Sequence, residues 1–272
     1  MIVLSNPWLS VSILDPVDDK AMLGTRYCSG GSIFQVEDPS RGVLLSGPTY
    51  PKSYNLFDGQ GMPEAFQPHL PLEAGHPSGA KLLGIGIGLI DPAANAIVER
   101  CAWEIERDAA TLRLRTTQAA DQWLFTVERR VSLRGRTVRS ETVVANAGRH
   151  LPFQWYPHPF FPHHPSGECC RFSVPITLPE NPGYELAENG FLLMKHFPWK
   201  GIDHFQLVGH PMDRPIEVVQ KHPVTGLVAA RCSYVPTRLP IWGNENTFSF
   251  EPFYERMLQP KEQACWSITY DF

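Results

Sequence analysis

The sequence predicts an all-β fold built from short antiparallel strands. Its 272 residues include 26 prolines and 21 glycines, which divide the chain into short runs between turn-forming positions. From Trp103 onward, apolar and polar residues alternate with a period of two, as in strands that bury one face. Long helical periodicity is almost absent. Many short strands with frequent turns favour a sandwich or a barrel over a parallel sheet.

The elements follow from this pattern in chain order. Residues 37–81 are rich in Pro, Gly, Ser and His, and we expect loops and short strands there, draped over the open side of the sheet. Residues 94–104 fit either a helical turn or a strand. A hairpin is predicted with strands at 131–133 and 137–144 around the turn 134–136. No linker divides the chain, so we predict one domain over residues 1–272. Further strands are expected at 103–105, 112–114, 123–128, 171–177, 205–208, 227–234, 248–253 and 265–272.

Composition excludes several classes of protein. The net charge is −4, and the arginines at 129, 130, 134, 136 and 139 lie in alternating sequence, which indicates a solvated strand face rather than a nucleic-acid site. No apolar run reaches the length of a membrane span, and the start lacks the features of a signal peptide. We therefore expect a cytoplasmic location and neither nucleic-acid nor membrane partners. The six cysteines are too sparse for a disulfide scaffold.

The segment from Trp155 to His164, WYPHPFFPHH, is the most informative one. His158 lies between two prolines, which stiffen the backbone and favour extended conformations. A titratable ring on a rigid, aromatic segment suits acid–base chemistry on a small molecule. A metal site is the alternative, because His163, His164, Cys169 and Cys170 follow. Adjacent side chains on a strand point in opposite directions and no Cys-x-x-Cys pair exists, so no metal is predicted. The two later histidines are expected to be solvated.

Other candidate residues are a glutamate, an aspartate, an arginine and a second glutamate. Glu251 lies in an aromatic run, where desolvation would raise its pKa toward that of a general base, unless it is simply exposed. Asp203 either caps a turn or accepts hydrogen bonds from sugar hydroxyls. Arg26 precedes a glycine pair and could present its guanidinium to a polar ligand. Glu64 follows a proline and either points into a site or is an ordinary loop carboxylate.

Together these motifs resemble, in order and over nearly the whole chain, the aldose 1-epimerase (galactose mutarotase-like) superfamily. The resemblance rests on the sequences GTRY and GG at 24–31, LGIGIG at 83–88, HPFF at 158–161, DHF at 203–205, EP at 251–252 and WSITYDF at 266–272. It implies a β-supersandwich and a cofactor-free isomerase acting on the anomers of a free sugar. Glu251 would be the base and His158 the acid. The expected sugar-binding residues are Arg26, Asp203, Glu64, His76 and Trp155, and aromatics such as Trp155, Phe160 and Trp242 could stack on the sugar ring.

The sequence departs from the family at one position. A second histidine of the family falls in a segment that reads YNLFDG here, at 54–59, where Phe57 takes its place. His69 and His76 are candidates to substitute for it. This departure keeps two alternatives open, a carbohydrate-binding protein without catalysis and a related lyase or hydrolase acting on a modified sugar. Fold alone does not decide between them. The expected partner is a small-molecule sugar, and a homodimer is left open.

Overall fold

A computed structural model describes residues 1–72 and 81–272. Half of the chain is strand and 1% is helical, as the alternation predicts. A short 3-10 helix covers Lys20–Met22. In chain order the strands are β1 (Ile2–Ser5), β2 (Ser10–Ile13), β3 (Ile33–Asp38), β4 (Gly42–Val43), β5 (Glu64–Gln67), β6 (Leu70–Pro71), β7 (Leu82–Gly84), β8 (Gly88–Asp91), β9 (Ala96–Arg100), β10 (Glu104–Arg107), β11 (Thr111–Ala120), β12 (Trp123–Arg134), β13 (Thr137–Asn146), β14 (Leu151–Pro157), β15 (Cys170–Phe172), β16 (Tyr184–Leu186), β17 (Leu192–Met194), β18 (His204–Val208), β19 (Glu217–His222), β20 (Gly226–Cys232), β21 (Leu239–Gly243), β22 (Phe248–Phe250), β23 (Tyr254–Leu258) and β24 (Gln263–Asp271).

The strands form antiparallel sheets around one large sheet. That main sheet has eight strands in the order β10-β11-β12-β13-β24-β20-β19-β15. Two three-stranded sheets, β23-β14-β5 and β18-β21-β22, contribute the residues considered below. The remaining sheets are β1-β2-β3-β4, β6-β7-β8-β9 and β16-β17. Within the described residues, no helix is both long enough and apolar enough to span a membrane.

The predicted hairpin is confirmed as β12 and β13, with Gly135 at the turn in a left-handed conformation (φ +58°). The ambiguous stretch at 94–104 contains the strand β9, and residues 37–72 contain the end of β3 and the short strands β4, β5 and β6 among loops. One prediction on β12 is corrected. Arg129 shares the inward parity of Phe125, Val127 and Val131, so it is buried at 2% exposure instead of lying on a solvated face.

Aromatic side chains join the main sheet to the sheet that carries β14. Trp266 on β24 stacks on Phe153 of β14 at 5.4 Å between ring centroids and meets Phe66 of β5 edge-on at 6.1 Å. All three rings are almost completely buried. Each such ring pair contributes about 0.5–1.5 kcal/mol beyond the area that it buries. This packing fixes β14, and the residues that follow it, against the core.

Candidate active site

Strand pairing brings His158 and Glu251 together across the chain. Phe161 and Phe248 exchange both backbone hydrogen bonds, each 2.9 Å long, in an antiparallel bridge. His158 lies three residues before Phe161 and Glu251 three residues after Phe248, so the antiparallel course of the two segments carries both residues to the same side of this bridge. The His158 Nε2 atom lies 3.2 Å from the Glu251 Oε1 atom. The two residues identified from separate sequence motifs therefore form one contact.

Neighbouring backbone fixes both residues of this pair. The His158 N–H donates to the Pro63 carbonyl at 2.8 Å, and the Glu251 N–H donates to the Pro240 carbonyl at 2.9 Å. The acceptors belong to different parts of the chain, one just before β5 and the other within β21. Each residue of the pair is thus held by a different neighbouring segment and needs no mobile loop to place it.

Burial dominates the electrostatics of the pair. The side chains of His158 and Glu251 are 2% and 7% exposed. Desolvation raises the pKa of Glu251 to about 7, against the opposing charges of Arg26 and Arg238. Desolvation, together with the charge of Arg26, also moves the pKa of His158 well below its ordinary value. Both shifts disfavour the ionised forms, so burial favours a protonated Glu251 beside a neutral His158.

Aromatic rings surround the imidazole of His158. Phe160 lies 4.5 Å away between ring centroids, Trp242 meets it edge-on at 5.5 Å, and Tyr27 meets it edge-on at 6.2 Å. Tyr156 lies at 6.3 Å. Tyr156 and Phe160 each stand two positions from His158, and side chains two apart in extended backbone share a face. This periodicity is the sequence feature that could have identified Tyr156, which the sequence analysis missed.

A polar cleft of about 440 Å³ is linked to the pair by Trp242, which lines the cleft, whereas His158 and Glu251 do not line it. Asp203 lies in it, just before β18, and accepts a hydrogen bond from Trp242 Nε1 at 2.9 Å. Because Trp242 also contacts the His158 ring, one indole connects the cleft to the acid–base pair. The cleft is lined by Pro48, Thr49, Lys52, Ser53, Asp58, Gly201, Ile202, Asp203, Trp242, Asn244, Glu245 and Asn246.

Arg26 pairs with Asp58, a residue that was not among the candidates from the sequence. The Arg26 Nη1 atom is 3.4 Å from the Asp58 Oδ1 atom. Its guanidinium packs over the rings of Tyr27 and Phe57, at 5.0 and 5.3 Å from their centroids. Phe57, which the motif resemblance assigns to the position of a second histidine, thus stacks on the arginine and offers no titratable group. The arginine keeps its charge close to Glu251.

The structure corrects the expected orientation of Glu64 and Trp155, which point away from the cleft into the core. Trp155 has the opposite parity to His158 along β14, and Glu64 on β5 shares the face of Trp155. Trp155 Nε1 donates to Glu64 Oε2 at 3.0 Å, and Ser140 Oγ donates to Glu64 Oε1 at 2.6 Å. Arg129 completes this buried network through an ion pair with Glu64. In this arrangement neither side chain is presented to a sugar.

The remaining histidines lie elsewhere. His76 falls outside the described residues, and His69 lies beside the backbone of Thr25, where burial lowers its pKa. His163 is half-buried instead of solvated, with Nε2 2.7 Å from the Asn244 carbonyl oxygen. Over residues 1–72 and 81–272, no three His, Cys, Asp or Glu side chains are grouped so as to hold a metal ion.

Solved structures show which fold this arrangement belongs to. No protein-family model and no curated protein sequence matches the chain. A galactose mutarotase related enzyme from Lactobacillus acidophilus superposes with a TM-score of 0.62 at 10% identity, covering 99% of this chain and 96% of the other. A galactose mutarotase-like protein from Lactobacillus casei gives 0.62 at 13%, covering 100% and 99%. Galactose 1-epimerase from Lactobacillus acidophilus gives 0.51 at 11%, covering 99% and 92%. The chain therefore has the galactose mutarotase-like fold that its ordered motifs predict.

Proposed function

We propose that this chain is an isomerase that interconverts the α and β anomers of a free sugar. The observation that carries the proposal is the buried contact between His158 Nε2 and Glu251 Oε1, 3.2 Å apart beside a polar cleft. For acid–base opening of a sugar ring, an acid and a base both reach one hemiacetal centre, each within hydrogen-bond distance of its oxygen. The ring oxygen and the anomeric oxygen are bonded to the same carbon, so two adjacent groups can serve both.

The reaction conserves one proton on the pair. The Glu251 carboxylate takes the proton of the anomeric hydroxyl, and the His158 imidazolium gives its proton to the ring oxygen. The bond between the anomeric carbon and the ring oxygen breaks, and that carbon becomes an aldehyde. After rotation about the adjacent carbon–carbon bond, the protonated Glu251 returns its proton to the aldehyde oxygen as the ring closes. His158 removes the proton of the attacking hydroxyl, which restores the starting state.

The shifted pKa values favour ring opening and disfavour the ion pair from which it starts. Ring opening converts a charged pair into a neutral pair, and burial favours neutral forms of both groups. Asp203 in the cleft and Arg26, which pairs with the cleft residue Asp58, would hold sugar hydroxyls, and Trp242 would offer a flat apolar surface to the sugar ring. No cofactor takes part in these steps.

The direct test is anomerisation by the wild type and two variants. Polarimetry and saturation-transfer NMR over a panel of free aldoses should show a wild-type rate above the uncatalysed one. Glu251→Gln and His158→Ala should each lower kcat about 10²- to 10⁴-fold, the usual contribution of a general acid or base. Glu99→Gln, a change at an exposed glutamate on β9, is the matched control. Equal rates for the wild type and Glu251→Gln on every sugar would refute the proposal.

A carbohydrate-binding protein without catalysis is the second candidate. The observation that favours it is Phe57, because the ring in the place of the family's second histidine can neither donate nor accept a proton. Calorimetry separates the two candidates. Sugar binding by the wild type, together with anomerisation no faster than the uncatalysed rate, would favour binding alone.

A further inference from the structure

We propose that the sugar site continues over the exposed ring of Phe205 and that the substrate is a reducing oligosaccharide whose second sugar ring stacks there. The first ring occupies the cleft beside His158 and Glu251, so the inference rests on the proposed function for that ring. Phe205 belongs to neither the acid–base pair nor the cleft lining described above. Its position and its exposure carry the argument.

Strand register places Phe205 next to the cleft. Phe205 on β18 is the direct antiparallel partner of Trp242 on β21. Directly opposite residues have Cβ atoms about 5 Å apart on the same face of a sheet, a step comparable with the width of one sugar ring. Asp203 bonds to the Trp242 indole and lies two residues before Phe205. A chain of sugar rings leaving the cleft past Trp242 would therefore meet Phe205 next.

The exposure of Phe205 is unusual for this chain. Its side chain is 55% exposed, and among the described residues only Trp8 and Phe57 are comparably exposed phenylalanines or tryptophans. Within the same part of the chain, the Phe205 ring stacks on no other aromatic ring. Ile202, which lines the cleft, and Leu207, the next outward residue of β18, extend the apolar strip on either side of Phe205. Exposed apolar surface that adjoins a binding cleft marks an interaction site more often than scattered apolar residues do.

The charges of the cleft indicate an uncharged saccharide. Its lining includes the carboxylates of Asp58, Asp203 and Glu245 but only one ammonium group, that of Lys52, and the nearby guanidinium of Arg26 is paired with Asp58. An acidic lining repels a phosphate or a uronate and leaves neutral hydroxyl groups unaffected. A neutral disaccharide or longer oligosaccharide with a free reducing end suits both the acidic lining and the exposed ring of Phe205. It presents an anomeric centre to the pair and an apolar sugar face to Phe205.

The test compares monosaccharides with disaccharides. Anomerisation rates of glucose and galactose are measured beside those of maltose, cellobiose and lactose, and binding of the same sugars is measured by calorimetry. We expect the wild type to have a higher kcat/KM for at least one disaccharide than for either monosaccharide. Phe205→Ala should lower the ratio of disaccharide to monosaccharide kcat/KM about tenfold, mostly through KM, because stacking is binding that ground and transition states share.

Two further variants complete the comparison. Phe205→Trp should keep the ratio, since it retains a flat apolar ring. Trp8→Ala removes a ring of similar exposure beside the turn between β12 and β13 and should leave the ratio unchanged. Monosaccharide turnover without any disaccharide preference, or a ratio insensitive to Phe205→Ala, overturns the subsite. A wild type that anomerises no sugar overturns the proposed function instead. Calorimetry still tests the subsite in that case, because disaccharide binding must weaken in Phe205→Ala.

Discussion

At the residue scale, Glu251 couples chemistry to stability. Burying a carboxyl group raises its pKa toward the range useful for proton transfer, but an ionised carboxylate is poorly solvated in the same place. In the folded chain the pKa of Glu251 is about 7, against an ordinary value of 4.5. The protein is therefore expected to lose stability at pH values where this group is ionised in the unfolded chain but remains protonated in the folded chain.

The sign of this effect gives a testable prediction. Since the folded pKa is raised, the stabilising contribution is complete below about pH 4.5 and is lost as the pH rises through about 7. Glu251→Gln removes the ionisable group, so at pH 8 the variant should be more stable than the wild type by up to about 3 kcal/mol. At pH 4.5 the difference should be near zero. Urea unfolding at both pH values measures it.

Glu99→Gln is the control, because Glu99 is exposed and lies outside the pair. A difference between Glu251→Gln and the wild type that is equal at the two pH values would contradict the assignment of a raised pKa to Glu251.

Single residues also show which features of the site can be predicted from the sequence. The order of motifs identified His158 and Glu251, and the aromatic run around Glu251 favoured burial while leaving exposure open. Glu64 has equally apolar neighbours, yet it points into the core, since its direction depends on which face of β5 packs against Trp155. The direction of the Glu64 side chain is set by the pairing of two strands some ninety residues apart in sequence. A local sequence pattern does not contain this information.

At the element scale, the segment before β5 holds the histidine in place. The Gly61 carbonyl accepts a hydrogen bond from Phe160 N–H at 2.7 Å, two residues before Pro63 accepts one from His158. Gly61 has φ +80°, and a Cβ there would collide with the carbonyl oxygens of Ile33 and Phe34. Only glycine therefore allows this segment to lie between β3 and the histidine.

Gly61→Ala should consequently destabilise the fold by more than about 2 kcal/mol, since it adds a steric clash to a left-handed backbone. Gly42→Ala is the matched control. Gly42 has φ +88° but no atom within 4 Å of the added Cβ, so it should show only the conformational cost of about 1–2 kcal/mol. Urea unfolding compares the two, and equal losses would rule out the clash.

Strand alternation predicted the hairpin of β12 and β13 because both strands are long and bury one face regularly. It did not predict β16, β17 or β21. The first two are three residues long, and β21 is almost entirely buried, so a period of two is absent from it. Elements of this kind are defined by their neighbours in space.

At the scale of the whole molecule, the network around Arg129 ties the site to the main sheet. Arg129 on β12 pairs with Glu64 on β5 and donates to Ser140 Oγ on β13 at 3.0 Å. Its Nε atom donates to the Gly30 carbonyl at 3.2 Å. One buried guanidinium thus joins two strands of the main sheet, the strand beside the histidine and the loop that follows Arg26.

Removing one side of this pair should be costly. Arg129→Met leaves an uncompensated carboxylate in the core and should destabilise the protein by about 3–5 kcal/mol in urea unfolding. The double variant Arg129→Met with Glu64→Gln should regain part of that loss, because the second change removes the unpaired charge. Arg113→Met, at an exposed arginine on the adjacent strand, should be nearly neutral. A double variant no more stable than Arg129→Met alone would argue against the charge as the cause.

The two faces of β14 contact different parts of the molecule. Trp155 faces the ion network of the core, and one residue on, Tyr156 begins the face that continues to His158. A deletion or insertion of one residue before Trp155 would exchange the faces, turning the indole toward the buried side of Tyr156 and the imidazole toward the guanidinium. Such a change leaves nearly every residue and local motif in place, but it abolishes both the ion network and the acid–base pair. Many residues of β14 can therefore be substituted, but a change of its length by one residue would not be tolerated.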